Sequence, residues 1–136
     1  MRELTYLYVE DDTLSQEIMQ MILLRGMGVP AERLHIFSDS YDFMARVKAL
    51  APQPNVILLD IHVAPLDGFS MLQHLRAESD YQNAQIIALT ASVMNEEVAQ
   101  LRQSGFNGAI AKPLSFSTFP ALMERIANGE TVWHIA

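Results

Sequence analysis

One stretch constrains this chain more than any other: Asn55-Val56-Ile57-Leu58-Leu59-Asp60. An unbroken apolar run leads straight into a single carboxylate. Pro54 precedes it, and Pro65-Leu66-Asp67-Gly68 closes the loop that follows. A short apolar run between turn signals reads as a strand buried on both faces, as in a parallel sheet. Such a strand delivers its last residue to the carboxyl edge of the sheet, where chemistry collects in open α/β folds. Asp60 is that residue.

The rest of the chain supplies partners for such a strand. Residues 4–9 favour a strand and end in Glu10-Asp11-Asp12. Leu14, Ile18, Met21 and Ile22 then follow helical spacing, with Thr13 and Gln16 as a capping box and Gly26 and Gly28 as the stop. Residues 34–37 form a second strand. Ser38-Asp39-Ser40 offers a cap for a helix bearing Phe43, Met44, Val47 and Leu50, which Pro52 and Pro54 end. After Asp60, a third helix runs from Gly68 to about residue 78 with Phe69, Met71, Leu72 and Leu75 mostly on one side. A fourth strand, 85–89, leads to Thr90-Ala91-Ser92. Asn95-Glu96-Glu97 opens a fourth helix that Gly105 stops, its acids suited to the first turn. Residues 108–111 make a short fifth strand ending at Lys112-Pro113. Phe119, Leu122, Met123 and Ile126 mark a last helix, capped at Ser117 or Thr118 because Pro120 fits only its first turn.

Strand and helix thus alternate five times. The expected fold is α/β: one doubly wound, five-stranded parallel sheet with helices on both faces, in the flavodoxin-like order 2-1-3-4-5. The switch point lies between the first and third strands, which end in Glu10-Asp11 and Asp60. A length of 136 residues with 50% apolar and 18% charged side chains suits one globular domain. The net charge of −7 disfavours nucleic acid and anionic membrane surfaces as partners. There are no cysteines, which excludes disulfides and thiolate metal sites and fits a cytoplasmic location. No stretch reaches the roughly 20 apolar residues of a membrane helix.

Three carboxylates converging in one cleft repel one another, and a bound cation removes the conflict. Oxygen ligands without His or Cys suit Mg2+, Mn2+ or Ca2+. Taken singly, each residue has a plain explanation. Asp12 reads as a helix cap, Thr90 as a residue approaching a helix, and Lys112 as a turn lysine. Together at four strand ends, acids, a hydroxyl and an ammonium describe a site for a phosphoryl group, with a carboxylate able to act as the nucleophile.

At this point the chain resembles the receiver domain of two-component response regulators, of the chemotaxis-regulator type. The resemblance rests on Val9-Glu10-Asp11-Asp12, Val56-Ile57-Leu58-Leu59-Asp60, Asp67-Gly68, Ile87-Ala88-Leu89-Thr90-Ala91 and Ala111-Lys112-Pro113-Leu114. It covers residues 1–128 as a receiver domain and leaves 129–136 as a C-terminal tail, with no effector domain expected. It implies that Asp60 accepts phosphate from a sensor histidine kinase or a histidine phosphotransfer protein. It implies Mg2+, or Mn2+, on Glu10, Asp11, Asp60 and the backbone carbonyl of His62. Thr90 matches the switch hydroxyl, Ala91 the small residue beside it, and Lys112 the lysine that pairs with the phosphate. The Lys112–Pro113 bond is expected to be cis. Such a module is a bacterial signalling protein that catalyses only its own phosphoryl transfer and hydrolysis. It is expected to be cytoplasmic, a monomer or a phosphorylation-dependent dimer, and to act through a downstream protein.

The chain departs from the family pattern in three places. The proline after Asp60 falls one position late, at Pro65. The Tyr or Phe usual three residues before the lysine is Ala109, so the aromatic link from Thr90 to the last helices is missing. The tail, with Thr131, Trp133 and Ile135 alternating, suggests an added strand, a strap, or packing on the last helix. The His62 ring is expected in solvent, Phe106 in the core, and the methionines as helix core fillers. Other readings weigh less. An aspartate-nucleophile phosphatase wants a second Asp where His62 stands, and a flavin carrier would meet repulsion from Glu10-Asp11-Asp12. A receiver-like binding scaffold without phosphorylation draws support from Ala109. A receiver piece of a hybrid kinase is the remaining alternative.

Overall fold

The computed structural model describes residues 4–91 and 94–135; expectations for residues 1–3, Ser92 and Ala136 lie outside them. The strands are β1 Tyr6–Val9, β2 Leu34–Phe37, β3 Val56–Asp60, β4 Gln85–Thr90, β5 Gly108–Ala111 and β6 Val132–His134. They form one sheet in the order β2-β1-β3-β4-β5-β6, and every neighbouring pair is parallel. The helices are α1 Thr13–Gln20, α2 Phe43–Lys48, α3 Gly68–Arg76, α4 Asn95–Ser104 and α5 Phe119–Ala127.

Period-two alternation sorts the core into two layers. Leu7, Val9, Ile57, Leu59, Ile86, Ala88 and Ala109 face α2, α3 and α4. Tyr6, Tyr8, Val56, Leu58, Ile87, Leu89 and Ile110 face α1 and α5. β3 is buried along its whole length, as its unbroken apolar run requires.

The expected five strands hold their expected order, but the sheet has six. The tail supplies the sixth: Val132 is buried against the α1–α5 layer, while Trp133 packs on the opposite one. A parallel neighbour needs a crossover, and α5 provides it. Gly108 permits the pairing, because a Cβ there would collide with the Val132 carbonyl.

Local details correct several expectations. Asp12, not Thr13, caps α1: its Oδ2 accepts from the Ser15 N–H at 2.9 Å. Its carboxylate is the stronger acceptor, one position earlier. α1 then runs into a π-helical turn over Met21–Gly26. No side chain of Ser38-Asp39-Ser40 caps α2. Asp42, at φ 48°, stands at that end, and Ser40 instead accepts from the Leu66 N–H at 2.7 Å. Thr118 stands at the start of α5 without a side-chain cap, and Ser115 Oγ accepts from the N–H of Ser117 at 3.2 Å. Met19, Met71 and Met123 are core fillers, but Met21 and Met94 are exposed, so spacing alone overcounted them.

Candidate functional site

The same alternation that sorts the core also sorts the site. Tyr6 and Tyr8 face the α1–α5 layer, so Glu10 follows on that side. Val56 and Leu58 bring Asp60 out on it, and Ile110 brings Lys112. Ile86 and Ala88 face the other layer, so Thr90 approaches from there. The three charged groups therefore meet at one end of the sheet, with the hydroxyl entering from the opposite face.

Glu10 is fully buried, Asp60 is 5% exposed and Thr90 is buried, while Asp11 is exposed. Ligand oxygens of Glu10, Asp11 and Asp60 lie within 4.8 Å of one another. Lys112 Nζ donates to Glu10 Oε1 at 2.7 Å and to Asp60 Oδ2 at 3.4 Å. Burial pushes the Glu10 carboxyl above its usual value, and the neighbouring Asp60 adds to the push against the opposing pull of Lys112. Burial draws Lys112 downward, but Glu10 and Asp60 together outweigh it and the net shift is up. The upward shift of Lys112 reflects the two acids around one ammonium, while that of Glu10 reflects burial first and Asp60 second. A hard divalent cation would supply the missing positive charge, and an all-oxygen set fits Mg2+ or Mn2+.

The loop after Asp60 is fixed from several sides. The His62 N–H donates to Asp60 Oδ1 at 3.2 Å, placing that backbone against the acid. Asp67 caps α3 through Ser70 N–H at 2.8 Å. Gly68 lets α3 pack onto the loop, since a Cβ there would stand 2.9 Å from Ile61 Cα. The late proline follows a cis Ala64–Pro65 bond, and the Ala64 carbonyl accepts from the Ser40 N–H at 3.2 Å. Lys112–Pro113 is cis, as expected.

Asp12 stays outside the acid cluster as a cap. Phe106 is buried, with its ring centroid 6.0 Å from that of Phe69. The His62 side chain is 65% exposed, but its Nε2 lies 3.6 Å from Glu97 Oε1. The same Glu97 oxygen is 3.4 Å from the Thr90 hydroxyl. Sequence reasoning placed Glu97 only in a helix first turn and missed this contact, which depends on where α4 sits. It also missed Tyr8, whose hydroxyl donates to Glu10 Oε1 at 2.9 Å. Tyr8 was findable, because residues two apart on a strand share a face. Burial, then the charge of Glu10, drives the Tyr8 phenol far above its usual value, so it remains a donor.

Comparison with known proteins agrees with this geometry. The response regulator receiver domain family matches residues 6–126. Hybrid signal transduction histidine kinase D of Dictyostelium discoideum is 36% identical over 93 residues, covering 63% of this chain and 6% of that protein. The polar-differentiation response regulator DivK of Brucella ovis is 26% identical over 111 residues, covering 82% of this chain and 85% of that one. The chain spans less than half the length of the first several relatives it matches. Among solved structures, a signal receiver domain from Colwellia psychrerythraea superposes with a TM-score of 0.79 at 20% identity, covering 92% of this chain and 98% of that one. The receiver domain of a sensor histidine kinase from Pseudomonas aeruginosa, with magnesium in its active-site cleft, gives 0.75 at 26% identity over 91% and 97%. With its acid pocket and lysine at the ends of parallel strands and a family match over nearly its whole length, this chain belongs to the response regulator receiver domains.

Proposed function

We propose that Asp60 is the phosphoryl acceptor, charged from a phosphohistidine on a sensor histidine kinase or a histidine phosphotransfer protein. The observation that carries this is the cluster itself: three carboxylates within 4.8 Å, two of them shared by one lysine. Glu10, Asp11, Asp60 and the His62 carbonyl are the ligands for Mg2+, with Mn2+ as a substitute. When bound, the ion offsets the charge of the acids and of the incoming phosphoryl oxygens.

Asp60 attacks phosphorus in line, the P–N bond to the donor imidazole breaks, and an acyl phosphate forms. Lys112 turns from the carboxylates to the new phosphate oxygens. The Thr90 hydroxyl leaves Glu97 for the same anion, passing Ala91, whose methyl leaves room. Exposed Leu14, Met94 and Phe116 stand at the starts of α1, α4 and the segment before α5, on the same end of the sheet as Asp60. They give an apolar rim against which a donor protein can dock. The phosphorylated domain then acts through a downstream protein in the cytoplasm. A net charge of −7 disfavours nucleic acid as a partner of this domain.

A second reading, the receiver segment of a hybrid histidine kinase, is favoured by matches in which the chain covers 6% and 9% of much longer kinases. It keeps the chemistry at Asp60 and changes only where the donor is attached. The test for either is intact mass after incubation with acetyl phosphate and Mg2+. Wild type gains one phosphoryl group, Asp60→Asn gains none, and a chelator abolishes the gain. No gain in wild type, where a control receiver labels, would leave a constitutive binding module.

A further inference from the structure

Tyr8 lies in β1 two residues before Glu10, so both side chains leave the same face of the sheet. Its ring sits in the core between the sheet, α1 and α5, with no exposed surface. A phenol buried there needs a hydrogen-bond partner. That partner is Glu10 Oε1, at 2.9 Å. The same oxygen accepts from Lys112 Nζ at 2.7 Å, and Oε2 accepts from the Asp12 N–H at 3.2 Å. The Lys112 ammonium is divided between Glu10 and Asp60. The Tyr8 hydroxyl has only Glu10 among the side-chain hydrogen bonds described for it.

We propose that Tyr8 is a positioning residue for the metal site: its hydroxyl holds the Glu10 carboxylate toward Asp11 and Asp60. The inference rests on the metal reading above. Glu10 is anchored from below, through the apolar core, and keeps its direction when Lys112 turns to an anion on Asp60. A partner that orients a metal ligand in this way typically changes metal affinity about 10- to 100-fold when removed. Tyr8→Phe deletes one oxygen and keeps the ring that fills the core. Tyr6→Phe is the control, removing a hydroxyl from the same face of the same strand, two residues further from Glu10.

The experiment is Mg2+ titration calorimetry on wild type and both variants, with circular dichroism to confirm the fold. Tyr8→Phe is expected to bind Mg2+ about 10-fold more weakly or worse, and Tyr6→Phe as wild type. With acetyl phosphate, the Tyr8→Phe deficit is expected to vanish at saturating Mg2+, because the variant alters affinity and leaves Asp60 intact. Unchanged affinity in Tyr8→Phe overturns the inference and leaves the metal reading standing. Equal weakening in Tyr6→Phe overturns it as well, since the effect would then be general loosening of β1. Failure of wild type to bind Mg2+ removes the metal reading itself, and the inference with it.

Discussion

Ala109 in β5 and Trp133 in β6 are register partners in adjacent parallel strands, so their side chains leave the sheet side by side on the same face. Ala109 has no exposed surface, and Trp133 packs against the core layer that contains it. Arg102 of α4 covers the indole, with its Cζ 4.7 Å from the ring centroid. Ala109 stands where the family pattern places a tyrosine or phenylalanine. The ring beside it comes instead from a strand beyond that pattern.

If the indole and the Ala109 methyl share one space, Ala109→Tyr overfills it and destabilises the domain by about 1–3 kcal/mol. In a Trp133→Ala background the same change costs less, with a coupling of at least about 0.5 kcal/mol. A double-mutant cycle from urea unfolding measures this. Additive costs would show that the two side chains do not compete.

Gly108→Ala should detach β6. The added Cβ meets the backbone of Val132, which cannot rotate away as a flexible side chain would. The expected outcome is a red-shifted emission from Trp133, the single tryptophan, with faster hydrogen exchange at the β6 amides. A wild-type spectrum and wild-type exchange would contradict it.

The sequence made the five-strand alternation legible because each strand carries an apolar run and each helix a 3.6-residue stripe. Asp60, Glu10 and Lys112 were legible because alternation plus the strand order brings those strand ends together. β6 was not, since three residues carry too little pattern to choose between a strand and a strap. The Glu97 contacts with Thr90 and His62 depend on the placement of α4 over the sheet, which no local spacing encodes. The α2 entry is not legible either, because Ser40, an apparent cap, is drawn away to the backbone of Leu66.

Stability in acid should depend on Asp39. The Arg46 guanidinium at 2.7 Å, and then the Tyr41 N–H, hold its carboxyl below the usual range. The folded state therefore sheds this proton more readily than the unfolded chain. The contribution is present above the ordinary Asp value of about pH 3.9 and is lost as pH falls through the lower folded-state value. Asp39→Asn should unfold at lower urea than wild type at neutral pH, and the difference should close in strong acid. A gap that persists at the acid end would assign the effect to lost hydrogen bonding instead.

Lys112→Met tests the charge balance of the pocket. Lys112 is the cation within hydrogen-bond reach of both Glu10 and Asp60, and its side chain is only 18% exposed. Removing it leaves two buried carboxylates opposed, a loss that typically costs about 3–5 kcal/mol. Glu10 and Asp60 are both buried, so water does little to screen the repulsion that the lysine leaves behind. Mg2+ then has more to offset in the variant than in wild type. Mg2+ at 100-fold over its Kd stabilises a binding-competent fold by about 2.7 kcal/mol. At one fixed Mg2+ concentration the variant should therefore gain more than wild type in urea midpoint. Equal gains in the two proteins would mean that the lysine and the ion do not answer the same charge.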